Sequence, residues 1–294
     1  MLLCVIIMIE GYLVKYGDYL WMVKGCEHFD EYIIAYPRYD VSKGIKIKSL
    51  DEALSIATKL GVAKYNECLK MKIPLLSRAK IEYVLDPFNK EHWPRLPKKI
   101  MKLLNQLDLI NSNDVGLTGS YLASTIIKNL KPRDLDLIIK DKSTGIRLYE
   151  LLKYLRSKGI SKPMNIIEDF EGGDQRTRLK LLRYRVLEGI LDDIIYSIRI
   201  VSCKESRKPH CIEKVNLLND EIIIIEQISP FIMPYTYLGK SKVLGEVVIR
   251  SLRMRYSEIP IGTKLLVNSC RVEYYENGTL NVCLDNRECI VKIP

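Results

Sequence analysis

Glutamine is nearly missing from this chain and stands only at Gln106, Gln175 and Gln227. Beside abundant Ile, Lys and Glu, that scarcity leans toward a thermophile. No apolar run reaches the roughly 18 residues a spanning helix needs, which argues against a membrane protein of that kind. The opening MLLCVIIMIEGYLV lacks a basic leader, and Glu10 ends its apolar run early. Leu2 to Ile9 therefore reads as a buried strand rather than a secretion signal, and a cytoplasmic protein is expected. No CxxC occurs, and CKESRKPHC, from Cys203 through His210 to Cys211, lacks finger spacing and a second pair. A standard zinc finger is excluded. Reduced, mostly buried thiols are the expected state, with an internal disulfide compatible with a thermophile. There is no internal repeat and no low-complexity tract.

What is present is an ordinary globular composition over 294 residues, 28% charged and 47% apolar. That length supports one large core or two to three small domains. Lys and Arg total 46 against 36 Asp and Glu, a formal net charge of +10. Such a balance suits RNA or another polyanion, and equally a basic surface of solvated lysines.

Residues 1 to about 48 read as strands, with a hairpin turn at Tyr16-Gly17-Asp18 and β pattern continuing through EYIIAYPRYD. Ser49 with Glu52 forms a capping box for a helix that stops at Gly61. The proline-bearing DPFNKEHWPRLP reads as a linker, and a helix is expected over 97–110. From Val115 the pattern alternates: strand VGLT, helix SYLASTIIKNL, strand DLDLIIK, helix GIRLYELLKYLRSKG, strand MNIIEDF. A basic tract, DQRTRLKLLRYR, precedes two β arms in VLEGILDDIIYSIRIV. The last stretch is β-rich, and Asn277-Gly278 is a strong hairpin signal. The expected fold is α+β, in three domains. A β-rich domain with one helix covers 1–90, and a mixed sheet with helices covers 91–202. A small β-barrel-like, OB-like domain covers 203–294.

Asp134 and Asp136 lie two apart on a predicted strand, so they share one face while Leu135 and Leu137 point to a core. Two adjacent carboxylates repel unless a cation neutralises them, and oxygen ligands of this kind suit Mg²⁺. Gly119-Ser120 stands at a strand-to-helix turn, where backbone N–H groups can receive phosphate and glycine permits close approach. A phosphate pocket facing a metal-binding pair is minimal equipment for nucleotidyl transfer.

TGS, thirteen residues and then DLDLII resembles the signature of the polymerase-β-type nucleotidyltransferase superfamily. Over its length the chain is similar to the predicted nucleotidyltransferases of archaea, through VKGCEHFDEYIIAYPRY. The resemblance implies a nucleotidyltransferase-type mixed sheet with helices. It implies Gly119 and Ser120 on the triphosphate of an NTP, and Asp134 and Asp136 on Mg²⁺ or Mn²⁺. Arg133 departs from the family pattern; it either pairs with the carboxylates or approaches a phosphate. The family's third acid is also missing, with Ser197 in its place in YSIRIV. If Asp192-Asp193 form a two-residue turn, Glu188 pairs with Ser197 and supplies that carboxylate, whereas a turn at Glu188-Gly189 undoes the pairing. In the basic tract, Arg176, Lys180 and Arg183 fall on one helical face, either for a triphosphate tail or RNA backbone or as solvated surface. The expected activity is metal-dependent transfer of a nucleoside monophosphate from an NTP to a hydroxyl. The alternative is a degenerate member that binds nucleotide or nucleic acid without turnover.

Overall fold

Alternating β-branched and aromatic residues dominate this sequence, and strands dominate its structure. The computed structural model describes residues 8–164, 175–201, 203 and 207–294, without the side chains of His92 and Pro94. Strands take 41% and helices 22%, and the strands gather into three sheets. This corrects the α+β expectation: the chain is β-rich with few helices, not a nucleotidyltransferase-type mixed sheet wrapped by helices. One cause is local. SYLASTIIKNL yields only the helix Gly119–Ala123. Ser124 and Thr125 donate their hydroxyls back to the carbonyls of Tyr121 and Leu122, at 2.8 and 2.7 Å, and β-branched Ile126 and Ile127 follow. Both features weaken a helix. The strands expected in MNIIEDF and from Leu2 lie, beyond Met164 and before Met8, outside the described residues.

Contacts divide the chain into two units: Met1–Asn66, Met71–Asp141 and Ser202–Pro209 in the first, Glu67–Lys70, Lys142–Val201 and His210–Pro294 in the second. The stretch 91–202 is thus shared between them.

The first unit holds a seven-stranded sheet in the order Ala63–Asn66, Met71–Ser77, Tyr32–Asp40, Tyr19–Val23, Leu13–Tyr16, Tyr83–Leu85. Ile45–Lys46 adds to Tyr32–Asp40. Gly17-Asp18 closes the first hairpin, with Tyr16 opposite Tyr19. The Ser49 hydroxyl accepts from the Glu52 amide at 3.1 Å and starts Leu50–Lys59, which buries Ala53 and Ala57. Lys98–Gln106 buries Ile100, Leu103 and Leu104. Val115–Leu117 pairs antiparallel with Leu135–Ile139. Leu13, Leu20, Met22, Tyr39 and Leu85 from the large sheet pack with Leu122, Ala123 and Ile127. Each fully buried leucine contributes about 1.5–3 kcal/mol, so this core fixes the Gly-Ser helix against the sheet.

In the second unit, Lys142–Ser157 is the long helix and Gln175–Tyr184 the basic one. Ser161–Lys162, Glu188–Leu191 and Ile194–Val201 pair antiparallel in sequence, and Ile232–Met233 runs parallel to the last. Asp192 and Asp193 both take positive φ, 49° and 57°, the conformation of a two-residue hairpin turn. The register puts Leu191 opposite Ile194 and Glu188 opposite Ser197. A further sheet closes on itself: Ile212–Ser229, Tyr235–Ser241, Gly245–Ser251, Leu280–Cys283, Lys264–Tyr275 and back to Ile212–Ser229. Gly245–Ser251 and Leu280–Cys283 run parallel; the other pairs of the ring are antiparallel. Irregularities at Leu218/Asp220 and Ile224/Glu226 bend the long strand so that the ring can shut.

The expectation of reduced thiols is corrected. Cys26 pairs with Cys203, Cys68 with Cys211 and Cys270 with Cys289, each within one unit. Cys203 and Cys211 are thereby removed from any zinc set, and Cys283 is the free cysteine among the described residues.

Candidate functional site

Leu135 and Leu137 are each 1% exposed, and Asp136 between them is half-buried on the opposite face, as a two-residue period requires. Asp134 occupies the bend just before Leu135–Ile139, not the strand itself, and is also half-buried. Both carboxylates act on one group. Burial raises the pKa of the Tyr39 phenol, the Arg38 guanidinium lowers it, and Asp136 and Asp134 raise it again. Asp134 also adds to the burial that raises Tyr121. The two carboxylates therefore face the same neighbourhood. Arg38 is anchored there through Nη1, which donates to the Ile47 carbonyl at 3.1 Å.

The Gly-Ser turn meets Asp136 directly. Gly119 has φ of 63°, and a Cβ there would stand 2.0 Å from Asp136 Oδ2. Only glycine admits the carboxylate at that place. The Thr118 amide donates to the Asp136 carbonyl at 3.0 Å, and Thr118 Oγ1 donates to the Gly11 carbonyl at 2.7 Å. These bonds lock turn and strand together. Ser120 is 5% exposed, and its Oγ is buried without a partner among the described residues. The sequence predicted a first helical turn open to a cleft. Instead Gly119 and Ser120 are both buried, because Leu122 and Ala123 draw the short helix into the core. Arg133 is exposed beside Asp134.

Gly119→Ala is expected to lower stability by about 1–2 kcal/mol from left-handed backbone alone. It also forces the Asp136 carboxylate to rotate away, so metal-dependent nucleotide binding should fall at least about tenfold, near 1.4 kcal/mol. Thermal melting with a fluorescent-nucleotide titration reads both effects. Unchanged binding would show that the Gly119–Asp136 approach has no role in it.

Glu188, Arg176 and Lys180 belong to the second unit and have surroundings of their own. The Glu188 carboxylate accepts from Arg185 Nη1 in an ion pair, with the Arg185 side chain only 1% exposed. Arg156 donates to the carbonyls of Arg185 and Glu188 at 3.0 and 3.1 Å and secures this corner. Glu188 thus has the predicted register but holds a buried cation. Among the described residues, no three His, Cys, Asp or Glu side chains gather as a metal-binding group. Arg176 is exposed, and Lys180 donates to the carbonyls of Ile293, at 3.2 Å, and Pro294.

Glu258, at the same corner, accepts from the amides of Val186 and Leu187 at 2.8 and 3.1 Å. Burial pushes its carboxyl up to about 7, against the pull of those amides and of Arg185. The folded protein then holds a proton that the unfolded chain has already released. Stability should fall as pH rises from the unfolded value near 4.5 to about 7, and level off above. The span is on the order of 3 kcal/mol. Glu258→Gln should flatten that slope in denaturant melts taken across the window; an unaltered slope would assign it to other groups.

Tyr39, Tyr121 and Arg38 were not picked out by sequence reasoning. AYPRY carried a signal, since the alternation over Tyr32–Asp40 turns Tyr39 inward. What it meets there depends on chain about a hundred residues later. Comparison with protein-family models, with curated proteins and with solved structures found no match to this chain.

Proposed function

We propose that this chain binds a nucleoside triphosphate with Mg²⁺ or Mn²⁺ at Asp134 and Asp136 and transfers the nucleoside monophosphate to a hydroxyl acceptor on RNA, protein or a small molecule. The observation that carries the reading is the approach of Gly119 to Asp136, where a bare turn lies against a carboxylate that has Asp134 for company. The donor set fits the cation, because Mg²⁺ is held by one or two carboxylates and completed by substrate phosphates. The buried, unpartnered Ser120 hydroxyl fits a phosphate oxygen acceptor. A bound cation supplies charge neutralisation at the phosphates. The chain's own residues do the rest: Gly119, without a Cβ, admits the Asp136 carboxylate against the turn, the buried Ser120 hydroxyl is the donor for a phosphate oxygen, and Tyr39 lies in the field of both carboxylates. Arg133, exposed at the rim, attracts the triphosphate.

A second reading, binding without transfer, is favoured by Glu188. Its carboxylate is committed to Arg185, and Ser197 stands opposite. Glu188→Gln alone would strand a buried guanidinium and cost about 3 kcal/mol. The cleaner probe is the double variant Arg185→Met, Glu188→Gln. Each labelled NTP is incubated with Mn²⁺ or Mg²⁺ and total RNA or protein, and nucleotide binding is titrated in parallel. Labelled product from the native chain supports transfer, and its loss in the folded double variant gives the Arg185–Glu188 pair a part in it. Saturable binding without product supports the second reading, and absence of binding removes both. As for location, among the described residues no helix is long and apolar enough to cross a membrane. We read the three disulfides with the low glutamine content as those of an intracellular thermophile protein.

A further inference from the structure

The second unit carries a basic surface of its own. Helix Gln175–Tyr184 and the start of Lys264–Tyr275 border a pocket of about 460 Å³. Lys180, Arg183 and Lys264 line it together with Tyr184, and none of the described lining residues is acidic. Tyr184 is 55% exposed, a large ring held at the rim instead of in a core.

The pocket opens onto an outward face of the closed sheet, because Lys264 belongs to both. Register places Lys240, Ile223 and Lys264 in one cross-strand row. The next row holds Glu221, Leu266 and Lys292. Cross-strand partners share a face, and so do residues two apart, which puts both rows on the same side. Lys242 joins them: its Nζ is 3.2 Å from Glu221 Oε1, and that of Lys264 is 3.1 Å from the same oxygen. One carboxylate thus serves two ammonium groups. Four exposed lysines surround it, interleaved with the exposed aliphatic side chains of Ile223 and Leu266. Lys240 and Lys264 are two strand spacings apart, about 10 Å.

Cations in rows, apolar side chains between them and an exposed ring beside a basic pocket match what a flexible strand with phosphates and bare bases requires. A folded acidic protein would meet the charges but has no need of the ring. We propose that this surface binds single-stranded RNA, with backbone phosphates along Lys240, Lys264 and Lys292 and a base stacked on Tyr184 at the pocket. The inference does not depend on transfer chemistry, and its test omits NTP and divalent metal.

The full chain is titrated into a labelled oligouridylate of about 16 nucleotides in EDTA, with anisotropy read at several salt concentrations. Binding should weaken steeply with salt. The triple variant Lys240→Gln, Lys264→Gln, Lys292→Gln should weaken it at least about tenfold and reduce the salt slope by about 2, near 0.7 per lost phosphate contact. Tyr184→Ala should weaken oligouridylate at least about fivefold, as loss of base stacking requires, without altering heparin binding. Lys153→Gln, on the exposed face of Lys142–Ser157, should change nothing. Unaltered melting temperatures certify the variants as folded. The proposal is overturned if the native chain does not bind, or if the triple variant binds equally well. It is also overturned if Tyr184→Ala leaves oligouridylate unaffected, which would make this a surface for polyanions at large.

Discussion

Asp136→Asn is expected to abolish metal-dependent triphosphate binding and to reduce any nucleotidyl transfer by at least about 10²–10³-fold, the scale of losing a preorganised electrostatic partner. Asp136 lies in the strand Leu135–Ile139, its carboxylate filling the space where Gly119 lacks a Cβ. The amide substitution keeps the shape but removes the charge that a divalent cation requires. The fold should survive, since Asp136 is half-buried on the face opposite Leu135 and Leu137. Calorimetric titration of Mn²⁺ with and without a non-hydrolysable triphosphate measures binding. Retention of native affinity would remove Asp136 from the site and the proposed function with it.

Breaking Cys68–Cys211 should produce a large loss of stability. The bond joins residues 143 apart in sequence, so it restricts the unfolded chain strongly. With Cys26–Cys203 intact the loop is the two arms 26–68 and 203–211, so loop-closure entropy puts that at about 4 kcal/mol, and measured disulfides usually give 2–5 kcal/mol. At about 2–4 °C per kcal/mol, a midpoint lower by roughly 5–15 °C is expected for Cys68→Ser, Cys211→Ser. The native contacts there do not compensate. Arg271 donates to the carbonyls of Leu69 and Lys70 at 2.9 and 3.2 Å, and Ile212 to that of Cys68 at 2.7 Å. They position the segment without shortening the unfolded loop. Scanning calorimetry of the double variant against the oxidised chain is the measurement. Equal midpoints would mean that the pair contributes nothing under folding conditions.

Local chemistry made several features legible before any coordinates. Ser49 with Glu52 announced a helix start and Asn277-Gly278 a hairpin, since caps and tight turns are decided within four residues; Asp192-Asp193 was one of two possible turns, with Glu188-Gly189 the other, and the structure takes the first. The Asp192 and Asp193 turn then set Glu188 opposite Ser197, because hairpin register follows from turn length. The lateral order of strands, the closing of the last sheet and the pairing of six cysteines were not legible. Each joins segments whose separation leaves no periodic trace. Helix length misled in the Gly-Ser region, where backbone-seeking hydroxyls and core packing outweighed an apolar pattern.

The sequence by itself determined the residues of the candidate site, Gly119, Ser120, Asp134 and Asp136, and the two-residue period that turns Asp136 away from Leu135 and Leu137. Tertiary structure alone decided that Gly119 is pressed against Asp136, that Ser120 is buried and that Tyr39 feels the charge of both carboxylates. It also decided that Glu188 answers to a buried Arg185. The division has one physical reason: side-chain direction follows from local backbone geometry, whereas burial, and with it the strength of every charge interaction, is set by whatever distant chain excludes water from that point.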